Sequence, residues 1–359
     1  MAKQHTRHKE YSLILAALAA GVLLLAGPVR DLTVLALINA FCIVSILWSA
    51  SSVVRHADVL AHRYGEPFGS LILSLAIVIL EVGLISVLML SGSAGPTLMR
   101  DTIYAVIIIV MAGLIGFALL FGGRKYNTQY FNLTGIRHYL ISILPLAVLV
   151  LVLPSAVGPE GLNGLELAVV SGACFALYVM FLRAQTVTHR EWWVYEHEDE
   201  DGEHHGKPSC HSSAWHFALL AAHLVAVIGV TKLNSDNLYG LLAQWNAPPA
   251  LAGFLVALLI LSPEGTGAMR SVMQNQVQRA MNLFLGSVLA TISLTVPVVT
   301  LIAVVTGQPL VLGLDWPDAL LLGTTLVVCQ TSLSHGETNA HSGAAHVALF
   351  AVYVALLFR

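Results

Sequence analysis

Charge is what this chain has least of. Only 10% of its 359 residues are Asp, Glu, Lys or Arg, against roughly 25% in soluble domains. Such a shortage, beside a hydrophobic fraction of 57%, excludes a water-exposed surface over most of the molecule. The formal net charge of −3 leaves no basic excess for nucleic acid. Cysteine is scarce too: Cys42, Cys174, Cys210 and Cys329 form no CxxC spacing and three of them lie in apolar segments, which argues against disulfides and structural zinc. Also missing are a GxxxxGK[ST] phosphate loop, an HExxH helix and a GxSxG elbow. An ATP-driven pump and an intramembrane enzyme therefore have no support. His62, His216 and His223 are scattered and are expected to be structural.

What the chain has instead is long apolar runs. About 20 apolar residues cross a bilayer, and eleven such segments can be placed, at roughly 11–28, 33–54, 67–91, 102–122, 138–157, 164–186, 214–233, 249–268, 280–306, 317–334 and 342–358. The expected fold is an all-α polytopic membrane protein. With the N-terminus in the cytoplasm, thirteen Lys and Arg fall on that side and only Arg30, Arg100, Lys232 and Arg359 on the other, the bias that positive-inside topology requires. Eleven spans then put the C-terminus on the periplasmic or external face. The longest polar piece, 187–213, carries Glu191, Glu196, Glu198, Asp199, Glu200, Asp201 and Glu203 among histidines, and reads as a solvated linker behind the interfacial anchors Trp192 and Trp193. The chain thus divides as 1+5+5: an N-terminus and leading helix (1–32), a first five-helix repeat (33–186), the acidic His-rich cytoplasmic loop (187–213) and a second five-helix repeat (214–359). Repeats with an odd number of spans must have inverted topology.

Within this apolar frame two acids stand out. Glu66 lies in Gly65-Glu66-Pro67-Phe68-Gly69-Ser70, and Glu264 in Ser262-Pro263-Glu264-Gly265-Thr266-Gly267. Each adjoins a proline and is followed by glycine three residues on, at Gly69 and Gly267. An ionisable side chain at membrane depth costs roughly 2.5–3.5 kcal/mol even on the lenient insertion scale, so it signals function. Carboxylates can bind a hard cation through oxygen or take up protons instead, and burial brings the two events into competition near neutral pH. Inverted repeats would let the two acids meet about one pseudo-two-fold axis. Downstream of Glu264, the polar stretch 270–279 with Asn275, then Asn282, Gly286, Ser287, Thr291, Ser293 and Thr295, suits a partly hydrated cation path. Ser70 supplies a hydroxyl near Glu66. Glu81, fifteen residues after Glu66, is a further carboxylate on the same span.

The segment SPEGTGAMRSVMQNQVQRAMNLFLGS resembles the second α-repeat of the calcium/cation antiporter superfamily, and its bacterial ChaA type in particular. In related cation/proton exchangers that repeat reads GNAAEH, with Asn eleven and Gly-Ser twenty-two residues after the acid. Asn275 and Gly286-Ser287 stand at those distances from Glu264. His335-Gly336-Glu337-Thr338-Asn339 resembles the DGESNWFEG motif of that family, and EPFGSLILSLAIVILEV its first repeat. The Asn preceding the acid is replaced here, since 260–263 read Ile-Leu-Ser-Pro, so ion selectivity carries over less well than family identity.

The resemblance implies a secondary antiporter of the bacterial inner membrane, with no cofactor, exchanging Ca2+, Na+ or K+ for H+ by alternating access. Its partners would be inorganic cations, protons and the lipid bilayer. Glu66 and Glu264 would be shared between cation and protons, with Glu81, Ser70, Asn275 and Ser287 adding oxygen, and Gly69, Gly267, Gly286, Asn282, Glu337 and Asn339 gating or supporting. A cation channel without proton coupling is the alternative class, although two unequal acids in one pseudo-symmetric chain fit a carrier better than a filter ring.

Overall fold

The structure, a computed structural model, describes residues 10–358 apart from 28, 30, 66–67, 93, 159–160 and 194–210; the side chains of 68–71 also lie outside the description. Eleven long helices follow one another: α1 (Tyr11–Ala26), α2 (Leu32–Tyr64), α3 (Phe68–Leu90), α4 (Leu98–Tyr126), α5 (Leu133–Val157), α6 (Gly164–Thr188), α7 (Ser213–Gln244), α8 (Ala250–Met273), α9 (Val277–Thr306), α10 (Trp316–Ser332) and α11 (Ala340–Leu357). The expected all-α polytopic class is what the chain adopts. Among the described residues nine helices are long and apolar enough to cross a membrane, while α1 and α10, at 16 and 17 residues, are shorter. Large apolar side chains such as Leu25, Leu165, Val304 and Val305 are exposed, as lipid-facing side chains are.

Helix lengths repeat in order. The first members, α2 and α7, have 33 and 32 residues, α3 and α8 have 23 and 24, and α4 and α9 have 29 and 30. Three helix starts, those of α2, α7 and α6, carry polar caps. Asp31 accepts from Val34 N–H, Ser212 from Trp215 N–H, and Asn163 with Glu166 forms a reciprocal capping box at α6, each satisfying N–H groups that have no helical partner. Both α2 and α7 run on beyond the apolar segments at 33–54 and 214–233. Counting apolar residues ends a span at its first polar cluster, but the backbone ladder continues wherever polar side chains find partners.

Compactness divides the chain into two units, Met1–Ala94 with Asp199–Ala247, and Gly95–Glu198 with Pro248–Arg359. In the first, α2 and α7 lie side by side. His56 meets His216 near one end, and Asn234 donates to Asn39 Oδ1 at 2.9 Å seventeen residues further along α2. One helix number rises as the other falls, so the pair is antiparallel. Asn39 also donates to the Asn237 and Leu35 carbonyls, leaving a buried amide paired where a bilayer would otherwise penalise it.

In the second unit α4 and α11 pack antiparallel through glycines. A Cβ on Gly116 would stand 2.9 Å from Val347 N, one on Gly343 would strike the Leu120 backbone, and one on Gly123 would strike Ala340. Small residues permit this approach between membrane helices. By contrast α4 and α8 run parallel, Gly253 facing Asp101 and Gly265 facing Leu114. Helix α4 widens into a π turn at Ile109–Leu114, and buried His346 of α11 bonds the Met111 carbonyl there at 2.6 Å and Ser332 at 2.7 Å. Two more π turns, Val148–Val152 and Thr291–Thr295, lie just ahead of Pro154 and Pro297. A proline supplies no N–H to the carbonyl four residues back, so the ladder must adjust there. Two short strands, Thr128–Tyr130 (β1) and Glu337–Asn339 (β2), pair antiparallel with Gln129 opposite Thr338.

Candidate functional site

Glu264 stands in the middle of α8, directly after Pro263. The proline removes the N–H that would bond the Leu259 carbonyl, so the helix lacks one backbone bond on the turn before the acid. Ser287 Oγ on α9 donates to Glu264 Oε2 at 2.8 Å. The serine is buried and the acid half-buried. Among the described residues no Lys, Arg or His forms an ion pair with Glu264. A carboxylate without a resident counter-charge, in an apolar helix, is equipped to hold something that comes and goes.

Beyond Ser287 the polar lining continues. Thr291 lies four residues on, on the same helix face, and Ser293 and Thr295 follow inside the π turn. All three are buried. The hydroxyl oxygens of Ser293 and Thr295 have no hydrogen-bond partner among the described residues. Buried hydroxyls are seldom left so. Both hydroxyls stand in the π turn just ahead of Pro297.

The other sequence candidates are placed differently. Asn275 sits exposed in the α8–α9 turn at φ 65°, where its Oδ1 accepts from Gln129 Nε2 at 2.9 Å. The turn is fixed from β1, since Gln129 is buried and also bonds the Val272 carbonyl. Asn282 donates to the Trp193 carbonyl and accepts from Gln278. Trp193 is a packing residue 5% exposed, set edge-on to Tyr139 and Phe181, and not an interfacial anchor. Gly286 faces the Tyr139 ring, whereas Gly267 has open space where a Cβ would go. Glu337 is exposed in β2, and Asn339 caps α11 by accepting from His341 and Ser342 N–H. Glu264 and Ser287 are thus the candidates joined directly.

In the first unit, Glu66 lies outside the described residues, and Gly69 and Ser70 fall in the first turn of α3, where side chains are not described. Glu81 is fully buried in α3, nine residues before that helix's last residue, as Glu264 is nine before the last residue of α8. A polar cluster that sequence reasoning missed joins Glu10, Arg55, His56, His216 and His223. Burial pushes the Glu10 carboxyl up, but the hydrogen bond from His223 and the charge of Arg55 outweigh it, so the group titrates below its ordinary 4.5. The available signal was the seven-residue spacing of His216 and His223, two turns apart on one face of α7.

A polytopic, almost wholly helical chain with three length-matched helix pairs and, among the described residues, a span carboxylate bonded by a serine and in no ion pair, has the make-up of a membrane transport protein. The chain belongs to the family described as sodium/calcium exchanger protein, which matches residues 34–187 and 215–359. It is 58% identical over 356 residues to the sodium-potassium/proton antiporter ChaA of Escherichia coli strain K12, covering 98% of this chain and 97% of that one. To the putative ionic transporter y4hA of Sinorhizobium fredii it is 37% identical, with 84% and 83% covered. The solved structure of native YfkE shares the fold with a TM-score of 0.73 at 18% identity, covering 97% of this chain and 99% of that one.

Proposed function

We propose that this chain is a secondary cation/proton antiporter of a bacterial inner membrane, exchanging Ca2+, Na+ or K+ for H+ by alternating access. The observation that carries the reading is Glu264: a carboxylate in a span, bonded by one hydroxyl and, among the described residues, in no ion pair. Such a group can surrender a proton and accept a cation in the same place, the minimum equipment for exchange. The names of the relatives support it, since they are a sodium-potassium/proton antiporter and, at 24% identity, a Ca2+/H+ antiporter of Bacillus subtilis. A chain of this family, with unequal acids, fits a coupled carrier and not a channel.

Glu81 occupies in α3 the level that Glu264 occupies in α8, which makes it the closer counterpart by helix position. Glu66 stands two positions ahead of Phe68, the first residue of α3. Glu264 and Glu81 are then the principal carboxylates, with Glu66 serving at the head of α3. Ser287 and the hydroxyls of the π turn supply neutral oxygen. Asn275, Asn282, Gly286, Glu337 and Asn339 support the scaffold. The repeats are 33–186 and 214–359 about the acidic loop, with the N-terminus cytoplasmic and the C-terminus external.

Proton flux in everted vesicles, driven in turn by calcium, sodium and potassium, tests the reading. Glu264→Gln keeps the shape and the hydrogen-bonding oxygen but cannot cycle a proton. It is expected to abolish cation-dependent proton movement while reaching wild-type amounts in the membrane. Wild-type flux from that variant would overturn the assignment.

A further inference from the structure

Outside the transport carboxylates, Glu10, His56 and His223 are the clustered metal-ligating side chains among the described residues. Each offers one donor atom, and the three donors lie within 4.8 Å of one another. They come from three places: the residue preceding α1, the cytoplasmic-side half of α2, and the early turns of α7. Both histidines are buried, at 1% and 0% exposure, and the Glu10 side chain is 15% exposed. His223 Nε2 is 3.1 Å from Glu10 Oε2, and His56 Nε2 is 3.5 Å from Glu10 Oε1. A tetrahedral ion with bonds of about 2.0–2.1 Å holds its donors about 3.3 Å apart. These two contacts use different Glu10 oxygens. The carboxylate must therefore turn, and Arg55 Nη2, 3.4 Å from His56 Nε2, must move aside, for one oxygen and both imidazoles to share an ion.

We infer that Glu10, His56 and His223 form a binding site for a divalent transition-metal ion of the zinc class, fastening the head of α1 to α2 and α7. Two imidazoles and a carboxylate match that ion's preference for nitrogen and oxygen donors, and they do not suit Ca2+, which takes oxygen alone. The surrounding groups are arranged as support for ligands. His56 Nδ1 lies 2.8 Å from His216 Nδ1, so the ring is oriented through the nitrogen that faces away from Glu10. Arg55 Nη2 donates to Glu10 Oε2 at 2.8 Å and fixes the carboxylate, leaving Oε1 buried and without a hydrogen bond. His223 Nδ1 is likewise buried and unbonded. Ligand histidines are usually held through their second nitrogen, as His56 is and His223 is not. The Arg55 charge opposes a bound cation, so occupancy should rise with free metal instead of being permanent.

Titration of the full-length protein in detergent with Zn2+, read by calorimetry and by the thermal midpoint, tests the site. The loop at 187–213 holds further histidines and carboxylates, so wild type is compared with His56→Gln/His223→Gln, which leaves the loop intact. Wild type is expected to bind one more Zn2+ per chain than the variant and to show a zinc-dependent rise in midpoint that the variant lacks; Ca2+ should give neither difference. Equal stoichiometry and equal midpoint shifts would overturn the proposal and assign zinc binding to the loop. Glu10→Gln, which keeps both imidazoles and guards against a double variant that does not fold, should weaken this site by at least the roughly 10- to 100-fold that supporting changes cost. Unchanged zinc affinity in Glu10→Gln would equally overturn it.

Discussion

At the residue scale the central relation is the bond from Ser287 to Glu264. Hydrogen bonds to charged groups are worth about 1.5–3 kcal/mol, which is roughly a 10- to 100-fold effect on a cation shared with that carboxylate. Ser287→Ala should therefore retain exchange but need a higher cation concentration for half-maximal flux, by up to that factor, with its maximal rate less affected. Measuring flux against calcium, sodium and potassium concentration checks it; an unchanged half-saturation for every ion would remove Ser287 from the site. The acid and the serine were both legible in the sequence, because a carboxylate in an apolar run and a hydroxyl twenty-three residues on are visible without coordinates. Asn275 had the right spacing too, but spacing cannot tell a ligand from a residue that folds a turn, and its φ of 65° with a bond to Gln129 places it in the latter role. Of the cluster of Glu10, His56 and His223 the sequence showed only the His216–His223 spacing, since its members are far apart in sequence and meet through helix packing.

At the element scale, close approach is purchased by missing side chains. Gly343 lies against the backbone of Leu120 and the Gly116 carbonyl, whereas Gly267 has nothing within 4 Å of a built Cβ. Gly343→Val should force α4 and α11 apart. Overpacking a well-filled interior costs typically about 1–3 kcal/mol, and here the obstacle is backbone, which cannot rotate away. The detergent thermal midpoint of Gly343→Val is expected to fall by several degrees and its membrane yield to drop, while Gly267→Ala keeps the wild-type midpoint. Any loss of exchange in Gly267→Ala would then be functional and not steric. A Gly343→Val midpoint equal to wild type would contradict the packing. Helix number and order were readable from apolar runs; helix ends were not. In α2 and α7 the chain continues past His56 and Asn234 because His56 meets His216 and Asn234 bonds Asn39 across the pair, which is tertiary information. Of the π turns, those at Val148–Val152 and Thr291–Thr295 were foreshadowed by Pro154 and Pro297, whereas that at Ile109–Leu114 has no proline behind it and left no such sign.

At the scale of the whole molecule, direction and charge can be combined. Strict alternation of direction along successive helices makes α2 and α7 opposed, and they are antiparallel along their paired length. It also makes α4 parallel to α8 and opposed to α11, as the glycine contacts within the second unit have them. The proposed sidedness rests on Lys and Arg, thirteen expected on one side against Arg30, Arg100, Lys232 and Arg359 on the other, since a cytoplasmic excess of these residues sets orientation. A green fluorescent protein joined ahead of residue 1 should fluoresce, because it matures inside the cell. Joined after Phe358 it should stay dark, while alkaline phosphatase at that position should be active, as it is only outside. The reverse pattern at both ends would invert the molecule, so that the head of α1, with Glu10 and its two histidines, would meet external and not cellular metal. A fluorescent C-terminal fusion beside a fluorescent N-terminal one would mean an even number of crossings. The short helices α1 and α10 would be where to look for the segment that does not span.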